Sequence, residues 1–243
     1  MTLQEILNYF DDDFWQLMDN SCGSLDITLE AVFFIKHHLE VGSNVCDLMC
    51  GNARHILALD RLGYNVCGIE INPSLVESVR STNLLGRDAI DIGDVRNYTL
   101  PKNMDCFLLL TSSIGYFGKE EDIKLFKRIS KALSKNGKLI IDIPNYEHIV
   151  KKFKQRDWQK VGKKYYLFNH VLKGNTKITD LTIIKNGNIY HKTLKMRLYS
   201  IDEIKLMLNE CGFSKISIFC DFNVTEINEV ITNARRIQII ATK

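Results

Sequence analysis

Three residues within positions 44–71 have the types and spacing of a nucleotide site: Asp47 inside an apolar run, Gly51 at the turn ending it, and Glu70 closing the next apolar run. A glycine turn lets a ligand approach the backbone, and an acid at the end of the following strand accepts both hydroxyls of a ribose. Asp94, after a third short run, can accept from an exocyclic amine, and Val95 beside it offers a backbone amide. The turn reads Met49, Cys50, Gly51, Asn52, Ala53. A pyrophosphate requires Gly-x-Gly-x-x-Gly to sit on the helix N-terminus, and only the central glycine stands here. The pattern therefore disfavours a dinucleotide and leaves room for an amino-acid-bearing nucleoside.

The elements that must hold these residues follow from periodicity. Residues 45–49 and 65–69 read as strands around a helix at 53–62 that Gly63 stops. Asn72 and Pro73 supply the N-cap and first-turn proline of the next helix. Residues 89–93 form a short strand, and 106–110 are apolar throughout, as in a strand buried on both faces of a parallel sheet. A helix carrying Leu125, Phe126, Ile129 and Leu133 ends near Asn136 and Gly137, and 139–143 is a strand stopped by Pro144.

Upstream, Leu3, Ile6, Leu7 and Phe10, then Phe14, Trp15 and Met18, precede a break at Cys22, Gly23 and Ser24; Leu29, Val32, Ile35 and Leu39 mark a second helix. Two helices are thus expected before the first strand. Tyr9, Phe10 and Trp15 suit either core packing or the lid of a site. After Pro144 the period becomes two: 165–172, 178–185 and 189–199 alternate, with a hairpin signal at Asn186 and Gly187. This predicts a three-stranded antiparallel insertion. Ser200 and Glu203 read as a capping box for a helix that Gly212 ends, followed by strands at 215–219 and 236–241.

The expected fold is α/β, a Rossmann-like seven-stranded, mostly parallel sheet with helices on both faces. Residues 1–42 form an N-terminal helical cap, 43–147 and 200–243 the core, and 148–199 the insertion, in one domain spanning 1–243.

Composition excludes several classes. With 45% apolar residues the chain packs a core, and no run reaches the ~20 apolar residues of a membrane span. The N-terminus is acidic and amphipathic where a signal peptide is basic then apolar, so the expected location is cytoplasmic. Seven cysteines without a Cys-x-x-Cys pair read as reduced thiols, with no metal site. The net charge of +3 gives no case for nucleic acid by itself. The densest basic run, at 151–164, reads as a solvated face, with RNA or phosphate docking as the alternative.

The segments around residues 45–55, 68–74, 93–96, 107–117 and 133–142, in this order and spacing, resemble the class I S-adenosylmethionine-dependent methyltransferase family. The resemblance is strongest over 44–144. It implies that Asp47 positions the first turn and that Met49 and Gly51 approach the methionine portion of S-adenosyl-L-methionine. It gives Glu70 the ribose, Ile71 a place against adenine, Asp94 and Val95 the adenine edge, and Leu110 and Thr111 the methionine amine. Met49 and Ala53 stand where the family usually has glycine. Met49 is tolerable there if its backbone stays in an ordinary β conformation, and it places a larger side chain near the sulfonium; Ala53 is expected to open the helix at little cost.

The insertion and helical cap resemble those of small-molecule methyltransferases of the glycine and amino-sugar N-methylating type. That analogy implies a small-molecule acceptor methylated at N or O, a homodimer through the insertion strands, and Tyr9 and Arg54 at the methionine carboxylate. The loop after the fourth strand lacks the Asn/Asp-Pro-Pro-aromatic signature of base N-methyltransferases, which argues against a flipped base. Tyr116 in that loop is the side chain expected to face the acceptor. In the insertion, Tyr166 faces the pocket, His170 has a proton acceptor's chemistry, and Arg197 suits an anionic group. Two alternatives stay open: an RNA or protein methyltransferase docking through 151–164, and a catalytically silent S-adenosylmethionine-binding protein. A nicotinamide dehydrogenase is disfavoured by the missing glycines.

Overall fold

Alternate residues of the central strands go to opposite clusters, which is why these strands carry apolar residues on both faces. In β1 (Asn44–Leu48), Cys46 and Leu48 pack on one side of the sheet and Val45 on the other. In β4 (Met104–Leu109), Phe107 and Leu109 divide from Cys106 and Leu108 in the same way. The computed structural model describes residues 1–21, 25–227 and 233–243; the break expected at Cys22 to Ser24 lies outside them.

The remaining core elements are α4 (Arg54–Arg61), β2 (Asn65–Glu70), α5 (Pro73–Ser81), β3 (Ile90–Ile92), α6 (Lys119–Ala132), β5 (Leu133–Pro144), α8 (Ile201–Glu210), β10 (Lys215–Cys220) and β11 (Arg236–Thr242). They build a seven-stranded sheet in the order β10-β11-β5-β4-β1-β2-β3, in which β11 alone runs antiparallel to its neighbours. From β1 the chain builds outward through β2 and β3, then returns to place β4 on the other side of β1. That reversal opens a crevice at the C-terminal ends of β1 and β4. Asn72 caps α5 by accepting from the Ser74 and Leu75 amides with Pro73 behind it, as its sequence predicts. The helix α6 stops at Ala132, earlier than expected, because β5 begins at Leu133 and runs through the Asn136 and Gly137 turn signal.

Three helices precede β1: α1 (Leu3–Tyr9), α2 (Asp12–Ser21) and α3 (Leu25–His38). The periodic run divides at Phe10 because Asp11 accepts from the Asp13 and Phe14 amides and starts a new helix. A full capping box forms at Thr2 and Glu5. The one expected at Ser200 is half made, since Glu203 turns to Arg197 and Lys119 instead.

After the short α7 (Tyr146–Lys151), the insertion is a sheet of four antiparallel strands rather than three: β6 (Arg156–Val161), β7 (Lys164–Lys173), β8 (Thr176–Lys185) and β9 (Asn188–Arg197). β6 hides in the basic run because it is an edge strand whose charges reach water. Asn186 and Gly187 both have positive φ, the conformation of the predicted tight hairpin. One face of this sheet packs Tyr166, Leu181 and Ile183 against Tyr9 and Leu17 of α1 and α2. Asp13 of α2 bridges Lys164 at 2.8 Å and Lys185 at 2.6 Å, and Asp11 pairs with Lys192.

Candidate active site

The crevice at the β1/β4 switch point, closed over by α1 and α2, is a cavity of about 130 Å³. Glu70 ends β2 with both oxygens on backbone amides: Oε2 accepts from Gly51 at 2.9 Å, and Oε1 from Ile71 at 2.9 Å and Asn72 at 3.0 Å. Burial raises its pKa, while these three amides oppose the shift. The acid thereby fixes the turn at Gly51 to the start of α5, and it lines the cavity with acceptor capacity left on Oε2.

Asp47, on the neighbouring strand, is 2% exposed, and its Oδ2 has no hydrogen-bond partner. Burial pushes its pKa up to about 8, with the Arg54 charge pulling down and Glu70 pushing up. His55 Nδ1 lies 3.8 Å away, beyond hydrogen-bond reach, and burial, followed by the Arg54 charge, lowers that imidazole to about 3. The histidine is therefore neutral, and Asp47, its Oδ2 unpartnered, is held as an acid that a positively charged ligand group would ionise.

The turn differs from expectation in its backbone. Met49 has φ 59° and Ala53 has φ 59°, both left-handed, and Ala53 caps α4 with no side-chain hydrogen bond. The β conformation on which an easy fit of Met49 depends is thus not met, and Ala53 is not free of cost: each non-glycine residue there carries about 1–2 kcal/mol of strain. Turning from β1 into α4 within these few residues requires the left-handed steps. Over Gly51, at φ 58°, lies the indole of Trp15, which a Cβ at that position would run into. Gly51 is consequently covered rather than open to the cavity.

After β4, Thr111 and Ser112 are also left-handed, at φ 55° and 67°. Asp142 of β5, 2% exposed, holds them there. Its Oδ2 accepts from the Thr111 amide at 2.9 Å and its carbonyl from the Ser112 amide at 2.9 Å. Arg236 grips the same carboxylate at 2.7 Å and Gln238 donates to it at 2.9 Å. Arg54 donates to Thr111 Oγ1 at 3.0 Å, tying the two loops together.

Of the residues singled out from sequence, Asp47, Met49, Arg54, Glu70, Ile71, Asp94, Val95, Leu110, Thr111 and Tyr116 line the cavity. Asp94 is gripped by Arg96, whose guanidinium donates to both oxygens. Burial raises the Asp94 pKa, and these hydrogen bonds outweigh it, leaving the acid below its ordinary value. Tyr116 stands edge-to-face with Phe10 at 5.5 Å, and burial raises its phenol pKa, so it stays neutral.

Five choices do not reach the cavity, the first being Gly51 under the Trp15 indole. Tyr9 is buried in the cluster joining the cap to the insertion, and Tyr166, fully buried, donates its hydroxyl to the Asp13 carbonyl at 3.2 Å. His170 pairs with Thr179 at 2.9 Å and stacks on Phe168, and burial, then Lys177, lowers its pKa to about 4. Arg197 is taken by Glu203 at 2.6 Å. Strand alternation gave Tyr166 a face but not the neighbour of that face, which is the cap. Sequence reasoning missed Asn52, His55 and Ser113 in the lining, and left Phe10 and Trp15 undecided between core and lid. Phe14 and Met18 line it from α2, and their spacing was the available signal.

Residues 45–137 match the family model for a methyltransferase domain. The chain is 22% identical to the Bacillus subtilis protein YqeM, assigned to the methyltransferases by its description, over 79% of this chain and 82% of that one. Its fold is similar to that of an S-adenosylmethionine-dependent methyltransferase from Clostridium acetobutylicum, with a TM-score of 0.80, 15% identity, and coverage of 95% and 98% of the two chains. The sugar N-methyltransferase KedS8 from Streptoalloteichus shares the fold at a TM-score of 0.71 and 15% identity, with coverage of 94% and 92%. Residues 45–137 thus match a methyltransferase-domain model, and the whole chain shares the fold of S-adenosylmethionine-dependent methyltransferases. S-adenosylmethionine is accordingly the expected cofactor. Among the described residues, no helix is long and apolar enough to cross a membrane.

Proposed function

We propose that the protein transfers a methyl group from S-adenosylmethionine to nitrogen or oxygen of a small-molecule acceptor. The observation that carries this reading is the pairing, at one switch point, of Glu70 with the partnerless Asp47 oxygen, facing an apolar cap. A ribose and a cationic amino-acid end fit those two acids, and the residues present fit this cofactor on that ground. Glu70 takes the ribose hydroxyls, Ile71 packs on adenine, and Val95 with Asp94 reads its edge. Asp47, with backbone from Leu110 and Thr111, takes the charged methionine end, and Arg54 its carboxylate. S-adenosylmethionine supplies an activated electrophilic methyl group, so the protein's task is to align an acceptor and exclude water. The cap residues Phe10, Phe14 and Trp15 perform that exclusion, and Tyr116 presents a neutral hydroxyl toward the acceptor.

Calorimetric titration with S-adenosylhomocysteine tests the reading, with NAD as control. Micromolar binding of the first and none of the second is expected; the reverse would overturn it. Docking of RNA through 151–164 has less support, because Lys154 and Lys164 are engaged by Asp157 and Asp13. The outer face of the insertion exposes Trp158, Tyr165, Leu167 and Ile189, which supports self-association of two copies there. Sedimentation equilibrium with Trp158→Glu checks it: the wild type sediments as a dimer and the variant as a monomer.

A further inference from the structure

We infer that the acceptor is a neutral amine carried on an aromatic or otherwise apolar body, and not an amino sugar or a zwitterionic amino acid. This inference rests on the methyl-transfer reading above. Opposite the nucleotide-side acids, the cavity is lined by Ile6, Leu7, Phe10, Phe14, Met18 and Tyr116. Phe10 stands edge-to-face with Phe14 at 4.7 Å and with Tyr116 at 5.5 Å, so its ring joins the cap to the loop after β4. Such a wall offers an aromatic body dispersion and edge-to-face contacts. It offers the several hydroxyls of a sugar only the Tyr116 hydroxyl in place of the water they would lose.

The charged groups that might have read a polar acceptor are committed elsewhere. Asp13 is held by Lys164 and Lys185, Asp11 by Lys192, and Arg197 by Glu203, which also pairs with Lys119. The Asp11 and Asp13 pairs fasten the cap to the insertion, the Glu203 pairs tie α8 to β9 and α6, and none of their members lines the cavity. An ammonium or carboxylate entering from the cap side thus meets no counter-ion among the described residues of that wall. Apolar walls favour the neutral form of an amine, and an amine whose lone pair is delocalised into a ring is already neutral at pH 7.

The absence of a base among the described groups on this wall favours nitrogen over oxygen. His170 is remote, and the Tyr116 phenol is neutral. A phenol would have to lose its proton before attack, whereas a neutral amine brings its own lone pair. That pair forms the new N–C bond, the C–S bond breaks with its electrons remaining on sulfur, and the product nitrogen loses its extra proton to water on release.

The test measures binding to the full-length protein saturated with S-adenosylhomocysteine, by calorimetry, with aniline, N-methylaniline, glucosamine and glycine as probes. The inference expects the aromatic amines to bind at least tenfold more tightly than glucosamine or glycine, and Phe10→Asp to abolish that preference. Phe10→Leu, which keeps the wall apolar, should retain it and serves if the aspartate variant does not fold. Tighter binding of glucosamine or glycine, or no difference among the four probes, overturns the inference and leaves the methyl-transfer reading intact. Failure of S-adenosylhomocysteine itself to bind overturns both.

Discussion

The two walls of the cavity place their carboxylates by different physics. On the nucleotide side, Glu70 and Asp142 are buried and accept from backbone amides of the very loops they shape. On the cap side, Asp11 and Asp13 turn away from the cavity and pair with lysines of the insertion, leaving rings to face inward. The first wall is welded to a seven-stranded sheet, so its geometry is set before any ligand arrives. The second is fastened by partly exposed ion pairs, each worth about 0.2–1 kcal/mol, and by one small apolar cluster. The rigid wall suits recognition of a constant cofactor. The looser one suits admission of ligands, and with Trp15 lying over Gly51 it is the cap that must shift to admit them.

This contrast can be tested. Asp142→Asn removes a buried charge that Arg236, Gln238 and the Thr111 amide all address, and should cost about 3 kcal/mol in urea unfolding. A cost below ~1 kcal/mol, the range of a surface pair, would mean that this wall is held no more firmly than the cap. Glu70→Ala strands three backbone donors and should weaken S-adenosylhomocysteine binding roughly 100-fold by calorimetry.

Asp122 supports the acceptor loop by accepting from the Gly115 amide at 3.0 Å and the Tyr199 hydroxyl at 2.5 Å. Burial raises its pKa from 3.8 to about 6 despite those donors. An acid raised on folding favours the fold below pH 3.8, and that contribution is lost as pH rises through about 6. Asp122→Asn keeps the acceptor without the charge. It should flatten the stability profile between pH 4 and 6 and gain roughly 1 kcal/mol at pH 8, read from thermal melts.

Trp15→Ala uncovers Gly51 and should speed cofactor association several-fold in stopped-flow fluorescence; unchanged association would show that the cap does not gate the site. The smallest effect belongs to Ala53→Gly, which relieves a left-handed alanine and should stabilise by about 0.5 kcal/mol once the added freedom of the unfolded chain is counted.

The nucleotide wall was legible in the sequence because its residues are local to strand ends: Asp47 sits near the end of one apolar run, Glu70 and Asp94 follow two others, and strand polarity brings such ends to one edge. The left-handed backbone at Met49 and Ala53 was not, since side-chain type signals such a conformation only when glycine occupies it. Asp142 and Arg236 lie 94 positions apart, and the register of β5 with the antiparallel β11 alone makes them partners.

The sequence by itself determined the alternating α/β core, the two caps of α5 and α8, the insertion, and the acids at the strand ends, because periodicity and strand polarity are local and directional. Only the tertiary structure decided what faces the acceptor. Tyr166, His170 and Arg197 had the right chemistry, but the inward face of the insertion is filled by α1 and α2. Phe10, Phe14 and Trp15 therefore stand where the strand residues were expected, and which of two amphipathic surfaces reaches a cavity depends on what packs between them.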